Sequence, residues 1–264
     1  MRYSMSANRI ITIFKLMALC LVPLFIDNAY AELTANANHD QIKIDFFYHG
    51  STIALGGVSD PKTDLIIKVS SQEGHQVMRE KGKVGGFLWM NVGELKLEHV
   101  PAMYFIHSTK KIEDIITPED MNKYVLGYSA LERHVEMNPI SNGEEKTKWF
   151  GEFVKFKEAS KLYDTSSGNI EFTNKDGKQN YYILRQWPFQ APPGNYTVTV
   201  YAVKDKKITE IATKNILVEQ VGLVKSLATM ARSNGALYGI ISILAALAAG
   251  FGVGIIFRKS GGAH

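Results

Sequence analysis

The chain has 264 residues, a formal net charge of +4 and a single cysteine, Cys20. Its surplus charge lies at the ends: Arg2, Arg9, Lys15 and Asp27 in residues 1–31, with Arg258 and Lys259 near the C-terminus, leave residues 32–233 neutral. A neutral middle argues against nucleic acid and anionic polymers, which need clustered Lys and Arg. One cysteine excludes a disulfide framework and multi-thiolate metal sites.

In chain order, the basic N-terminus precedes the apolar run Leu16–Ile26 and then Ala29-x-Ala31. Charge, apolar core and small-residue site together predict a signal peptide, residues 1–31, cut after Ala31. The run is shorter than the ~20 residues a membrane helix needs. Cys20 leaves with the signal.

Residues 32–220 have a β texture. Ile42, Ile44, Phe46 and Tyr48 alternate, and so do Leu65, Ile67 and Val69 after the turn Ser59-Asp60-Pro61. Further strand candidates are 77–80, 84–97, 103–108, 170–173, 181–187, 196–203 and 208–219. Short strands punctuated by Gly, Pro, Asn and Asp predict a mainly β fold, an immunoglobulin-like β-sandwich ectodomain. The clearest pair is Tyr196–Val203 with Ile208–Glu219, joined by Lys204-Asp205-Lys206-Lys207.

Residues 82–92 read GKVGGFLWMNV. Phe87 and Trp89 point to one face of a strand, Leu88 and Met90 to the other. Two apolar faces predict a bent core strand, covered on both sides, with Gly85-Gly86 supplying the bend. The alternative leaves Trp89 and Asn91 exposed as a partner or ligand surface, together with Tyr104 and His107.

A helical insertion is expected over about 111–163. Thr117-Pro118-Glu119-Asp120 is a helix start. Trp149, Phe153 and Phe156 fall at i, i+4 and i+7 and predict an amphipathic helix packed on the sheet. Residues 221–234 form an amphipathic juxtamembrane segment. Residues 235–257 are 23 without a charge, about 35 Å of helix and enough to cross a bilayer. Arg258 and Lys259 follow. By the positive-inside rule residues 258–264 are a cytoplasmic tail, and the expected location is the bacterial inner membrane, single-pass, with the N-terminal domain in the periplasm. Gly235, Gly239, Ser242, Ala246, Gly250 and Gly254 share one side of the helix, a face suited to close helix association.

Gly82-Lys83-Val84, Trp89-Met90-Asn91 and Val100-Pro101-Ala102-Met103-Tyr104-Phe105, with Leu237-Tyr238-Gly239 and Phe257-Arg258-Lys259 around the apolar helix, carry a resemblance. The chain resembles an uncharacterised bacterial family of alphaproteobacterial-type transmembrane proteins over most of its mature length. It departs at Ala102-Met103, where the family pattern has Ser-Phe. The resemblance implies no reaction. It does imply an accessory role beside a sulfite-exporter-type permease.

No motif for catalysis appears. The seven histidines lack metal-ligand spacing such as H-E-x-x-H. No nucleophile elbow, S-x-x-K or phosphate loop is present. Glu94 and Glu98 are paired in a half-polar strand or turn, and a carboxylate pair by itself does not make an acid–base site. The expected function is therefore that of a non-catalytic, membrane-anchored periplasmic accessory or interaction protein without cofactor or metal. Its expected partners are the bilayer and an integral membrane protein or a second copy. The alternatives are a periplasmic small-ligand binding or sensing domain and a membrane-anchored enzyme.

Overall fold

The computed structural model describes residues 32–140, 143–175 and 177–260. The expected signal peptide and the end of the expected tail, residues 261–264, lie outside the described residues.

Two sheets share one hydrophobic core. The first is antiparallel, in the order β1 (Asn36–Ala37), β3 (Ser51–Ser59), β11 (Lys178–Trp187), β10 (Glu171–Lys175). The second runs β2 (Gln41–Ile44), β13 (Lys207–Gln220), β12 (Gly194–Lys204), β4 (Asp64–Ser71), β7 (Tyr104–Ser108), β9 (Tyr163–Ser167). Its two outer pairs, β13 with β2 and β7 with β9, are parallel; the others are antiparallel. Trp187 of the first sheet meets Tyr196 of the second edge-on, ring centroids 4.8 Å apart. The chain is mainly β, as its alternation predicts.

The expected closing hairpin is present. Lys204 pairs with Lys207, and the two residues between them, Asp205 and Lys206, take φ of 51° and 61°. Two positive φ values at the centre of a two-residue loop match the twist of the flanking strands.

The second sheet is covered on both faces, which is why its middle strands read as unbroken apolar runs. Leu65, Ile66 and Ile67 of β4 are all buried, as are Tyr104, Phe105 and Ile106 of β7. One face meets the first sheet. The other meets the helices between β7 and β9: α1 (Ile112–Ile115), α2 (Pro118–Tyr124), α3 (Tyr128–His134) and α4 (Gly143–Ala159). The α2 start is capped as the sequence predicts: the Thr117 hydroxyl accepts from Asp120 N at 3.3 Å, with Pro118 in the first turn. Such a cap satisfies a backbone donor the helix itself leaves free.

The face of α4 differs from expectation. Phe150, Phe153, Val154 and Lys157 are buried, whereas Phe156 is exposed and Trp149 only packs at the margin. Phe150, Phe153, Val154 and Lys157 stand at i, i+3, i+4 and i+7, one helical stripe. The lysine completes it because its stem is apolar. Its ammonium donates to Ala102 O at 3.1 Å and lies over the Phe153 and Tyr163 rings; burial pushes its pKa down to about 8.

A larger difference concerns GKVGGFLWMNV. It is not one bent core strand. Gly85 and Gly86 take φ of 64° and 81° and reverse the chain between β5 (Glu73–Val84) and β6 (Leu88–Pro101), with Val84 paired to Leu88. Glycine takes these angles without the Cβ clash that opposes them in other residues. The result is a long hairpin arm, joined at its root by β8 (Glu136–Asn138) in a separate sheet. Among the described residues no helix covers its tip.

After β13 come α5 (Gly222–Ser233) and α6 (Gly235–Ser260). Asn234, in a non-helical conformation, separates them.

Candidate interaction arm

The arm is anchored at its root and free at its tip. At the root Leu95, Leu97, Val100 and Met137 join the core. Beyond Gly93 this stops. Phe87 is 75% exposed and Trp89 66%, and Val84, Leu88, Met90 and Val92 are exposed with them. Cross-strand partners share a face, so Val84, Leu88, Met90 and Val92 make one bare apolar face, while Trp89 shares the other with Lys81, Lys83 and Asn91. Lys83 Nζ lies 5.3 Å from the Trp89 ring centroid. β5 has 12 residues, so the arm is about 40 Å long at ~3.4 Å per residue.

The residues expected to form one surface are thus divided. Trp89 and Asn91 are exposed on the arm. Tyr104 and His107 are buried in β7, at 1% and 0% exposure. Both are structural pins. The Tyr104 hydroxyl donates to Val125 O at 2.8 Å and accepts from Gly127 N at 2.9 Å, fastening the α2–α3 turn to the sheet. Burial raises its pKa well above that of a free phenol.

His107 bridges the two sheets. Arg185 of β11 donates from Nε to His107 Nε2 at 3.1 Å and from Nη2 to Ser166 Oγ at 2.8 Å; Ser166 Oγ is 2.7 Å from His107 Nδ1. Arg185 Nη2 also lies 3.2 Å from His107 Nδ1, so the guanidinium faces both ring nitrogens. Burial, with the Arg185 charge adding to it, pushes the His107 pKa down to about 3.

At the arm's root a second group converges that sequence spacing could not reveal. His134 Nε2 lies 2.9 Å from Glu73 Oε1, and His99 Nδ1 lies 3.8 Å from Glu73 Oε2. Among the described residues, ligand-type atoms of Glu98, His99 and Glu136 lie within 4.8 Å of one another, all exposed. Glu98 and Glu136 are direct cross-strand partners, an arrangement in which like charges oppose pairing. The strand is irregular here: His99 has φ 58° and the register shifts between Gly74 and Gln76.

The stretch Gly235–Ile255 of α6 is long and apolar enough to cross a membrane and is not buried against the domain. A Cβ on Gly235, Gly239, Gly250 or Gly254 would meet nothing within 4 Å beyond the helix's own backbone.

A mainly β domain followed by one exposed apolar helix defines a membrane protein anchored near its C-terminus. The family model described as "Putative transmembrane protein (Alph_Pro_TM)" matches residues 32–259, and the chain belongs to that family. No curated protein matches it.

Proposed function

We propose that the protein is a non-catalytic, membrane-anchored interaction module, held by α6 with its β domain on the periplasmic side of the bacterial inner membrane. Ala29-x-Ala31 and the Arg258-Lys259 pair support that orientation. The strand order, with β2 leaving the first sheet's side to run parallel to β13, supports an immunoglobulin-like sandwich. The observation that carries the reading is the arm: a continuous run of bare apolar side chains, from Val84 to Met90 with Val92, stands on a projecting hairpin. The polar groups nearest to a catalytic pattern, His107 and Ser166, are locked in structural bonds.

Association runs through the small-residue face of α6, with a sulfite-exporter-type permease as the candidate partner that the family resemblance supplies. Full-length protein purified from native membranes in mild detergent is expected to retain a stoichiometric integral membrane partner. Gly250→Leu, which puts a bulky side chain on that face, is expected to lose it. Recovery of both forms alone overturns the reading.

A small-ligand domain is the second reading, favoured by the Glu98, His99 and Glu136 group. Carboxylates with imidazole suit a divalent transition metal such as zinc. On that reading zinc raises the Tm of the wild type but not of His99→Ala or Glu136→Gln. An unchanged Tm removes it.

A further inference from the structure

We infer that the arm tip, Val84 to Val92, docks on the lipid surface of the membrane that holds α6, with an anionic headgroup layer around Lys81 and Lys83. The inference rests on the membrane-anchored reading above and not on any partner for α6.

The position of the arm is the first argument. β4 and β13 both pair antiparallel with β12 and so run in the same direction. Ser71, the last residue of β4, lies opposite Tyr196, which lies opposite Ile216 of β13. One residue, Gln72, separates β4 from β5. The arm therefore leaves the sheet at the end from which β13 continues to Gln220, α5 and the membrane helix. Its root stands on the side of the domain nearest the anchor.

The chemistry of the tip is the second argument. Val84, Leu88, Met90 and Val92 form one exposed apolar face, Phe87 stands exposed in the turn, and Trp89 lies with Lys81 and Lys83 on the other face. The boundary of a bilayer suits both: its acyl layer takes the apolar face and the turn, and its headgroups take the lysines. Trp favours that boundary, where its ring is buried and its N–H stays hydrated. Lysines bury their stems and extend the ammonium to the headgroups. Lys81 and Lys83 flank the apolar tip, and no Asp or Glu lies between Lys81 and Val92. That charge is drawn to anionic lipid and weakens with salt. On the root side of Gly93 the arm returns to mixed charge with Glu80 and Glu94, which limits how deep it goes.

The test uses the full-length protein reconstituted at low protein-to-lipid ratio into vesicles of phosphatidylcholine and phosphatidylglycerol, with and without brominated acyl chains. No other protein is present. Tryptophan emission is read for the wild type and for Trp89→Phe, a change at an exposed position that leaves the fold intact. The expected result is a bromine-dependent loss of emission that Trp89→Phe abolishes, and that shrinks in Lys81→Glu/Lys83→Glu and at high salt. Equal quenching of wild type and Trp89→Phe overturns the inference, since Trp89 is then in water or on protein. Flotation separates the two levels. Protein that floats with the vesicles while Trp89 stays unquenched refutes the arm's docking alone; protein that does not float refutes the membrane anchor itself.

Discussion

Lowering the pH from 7 to about 4 is expected to cost the β domain on the order of 3 kcal/mol through His107. The folded value stands at about 3 against ~6.5 for an exposed imidazole. At pH 7 the ring is neutral in both states, so nothing is lost. Between pH 6.5 and 3 the unfolded chain binds a proton that the folded chain refuses. Unfolding is then increasingly favoured as the pH falls through that window. The refusal has two sources: full burial, and the Arg185 guanidinium 3.1 Å from Nε2. Urea unfolding of the full-length protein in non-ionic detergent at several pH values measures the effect. His107→Gln can still accept from Arg185 but does not titrate, so its profile is expected to be flatter. Parallel profiles for the two proteins would show that the imidazole is not held neutral by the fold.

Gly57→Ala is expected to destabilise the protein by about 3 kcal/mol, or to prevent folding. A Cβ at Gly57 would stand 2.0 Å from Thr34 O and 2.7 Å from the Tyr181 hydroxyl. Neither neighbour can retreat. Thr34 N donates to Val58 O at 3.0 Å, Val58 N donates to the Thr34 hydroxyl at 2.9 Å, and the Tyr181 hydroxyl donates to Thr34 O. The added methyl must break this set or displace β3 from β11. Gly74→Ala is the control, because nothing lies within 4 Å of its Cβ and its φ is ordinary for any residue. Thermal unfolding of the two variants should separate them clearly, and a wild-type Tm for Gly57→Ala would contradict the close approach.

The two variants also locate what holds the domain together. Gly57 acts within the first sheet and His107 between the two sheets: one lets the N-terminal segment approach β3, the other ties β7 to β11. Neither is distinguished in the sequence by periodicity, since a strand glycine and a strand histidine have many ordinary uses. Their roles come from what distant segments of the chain place against them. The same holds for Glu73, Glu98, His99, His134 and Glu136, which come together only because β8 pairs with β6 beside the end of α3.

The sequence by itself determined the membrane helix, because 23 residues without a charge satisfy the length and solubility demands of a bilayer whatever the rest of the chain does. It determined the β character of the domain through alternation, the closing hairpin, and the capped start at Thr117, all of which are local properties. Only the tertiary structure decided what became of GKVGGFLWMNV. Apolar residues in adjacent positions of a strand do not state whether the strand lies in the core or projects bare from the domain, as this one does. The same limit placed Tyr104 and His107 in the core and Trp89 and Asn91 at the surface. It also turned the buried stripe of α4 onto Lys157. Burial depends on which layers stack, and that information belongs to residues far apart in the chain.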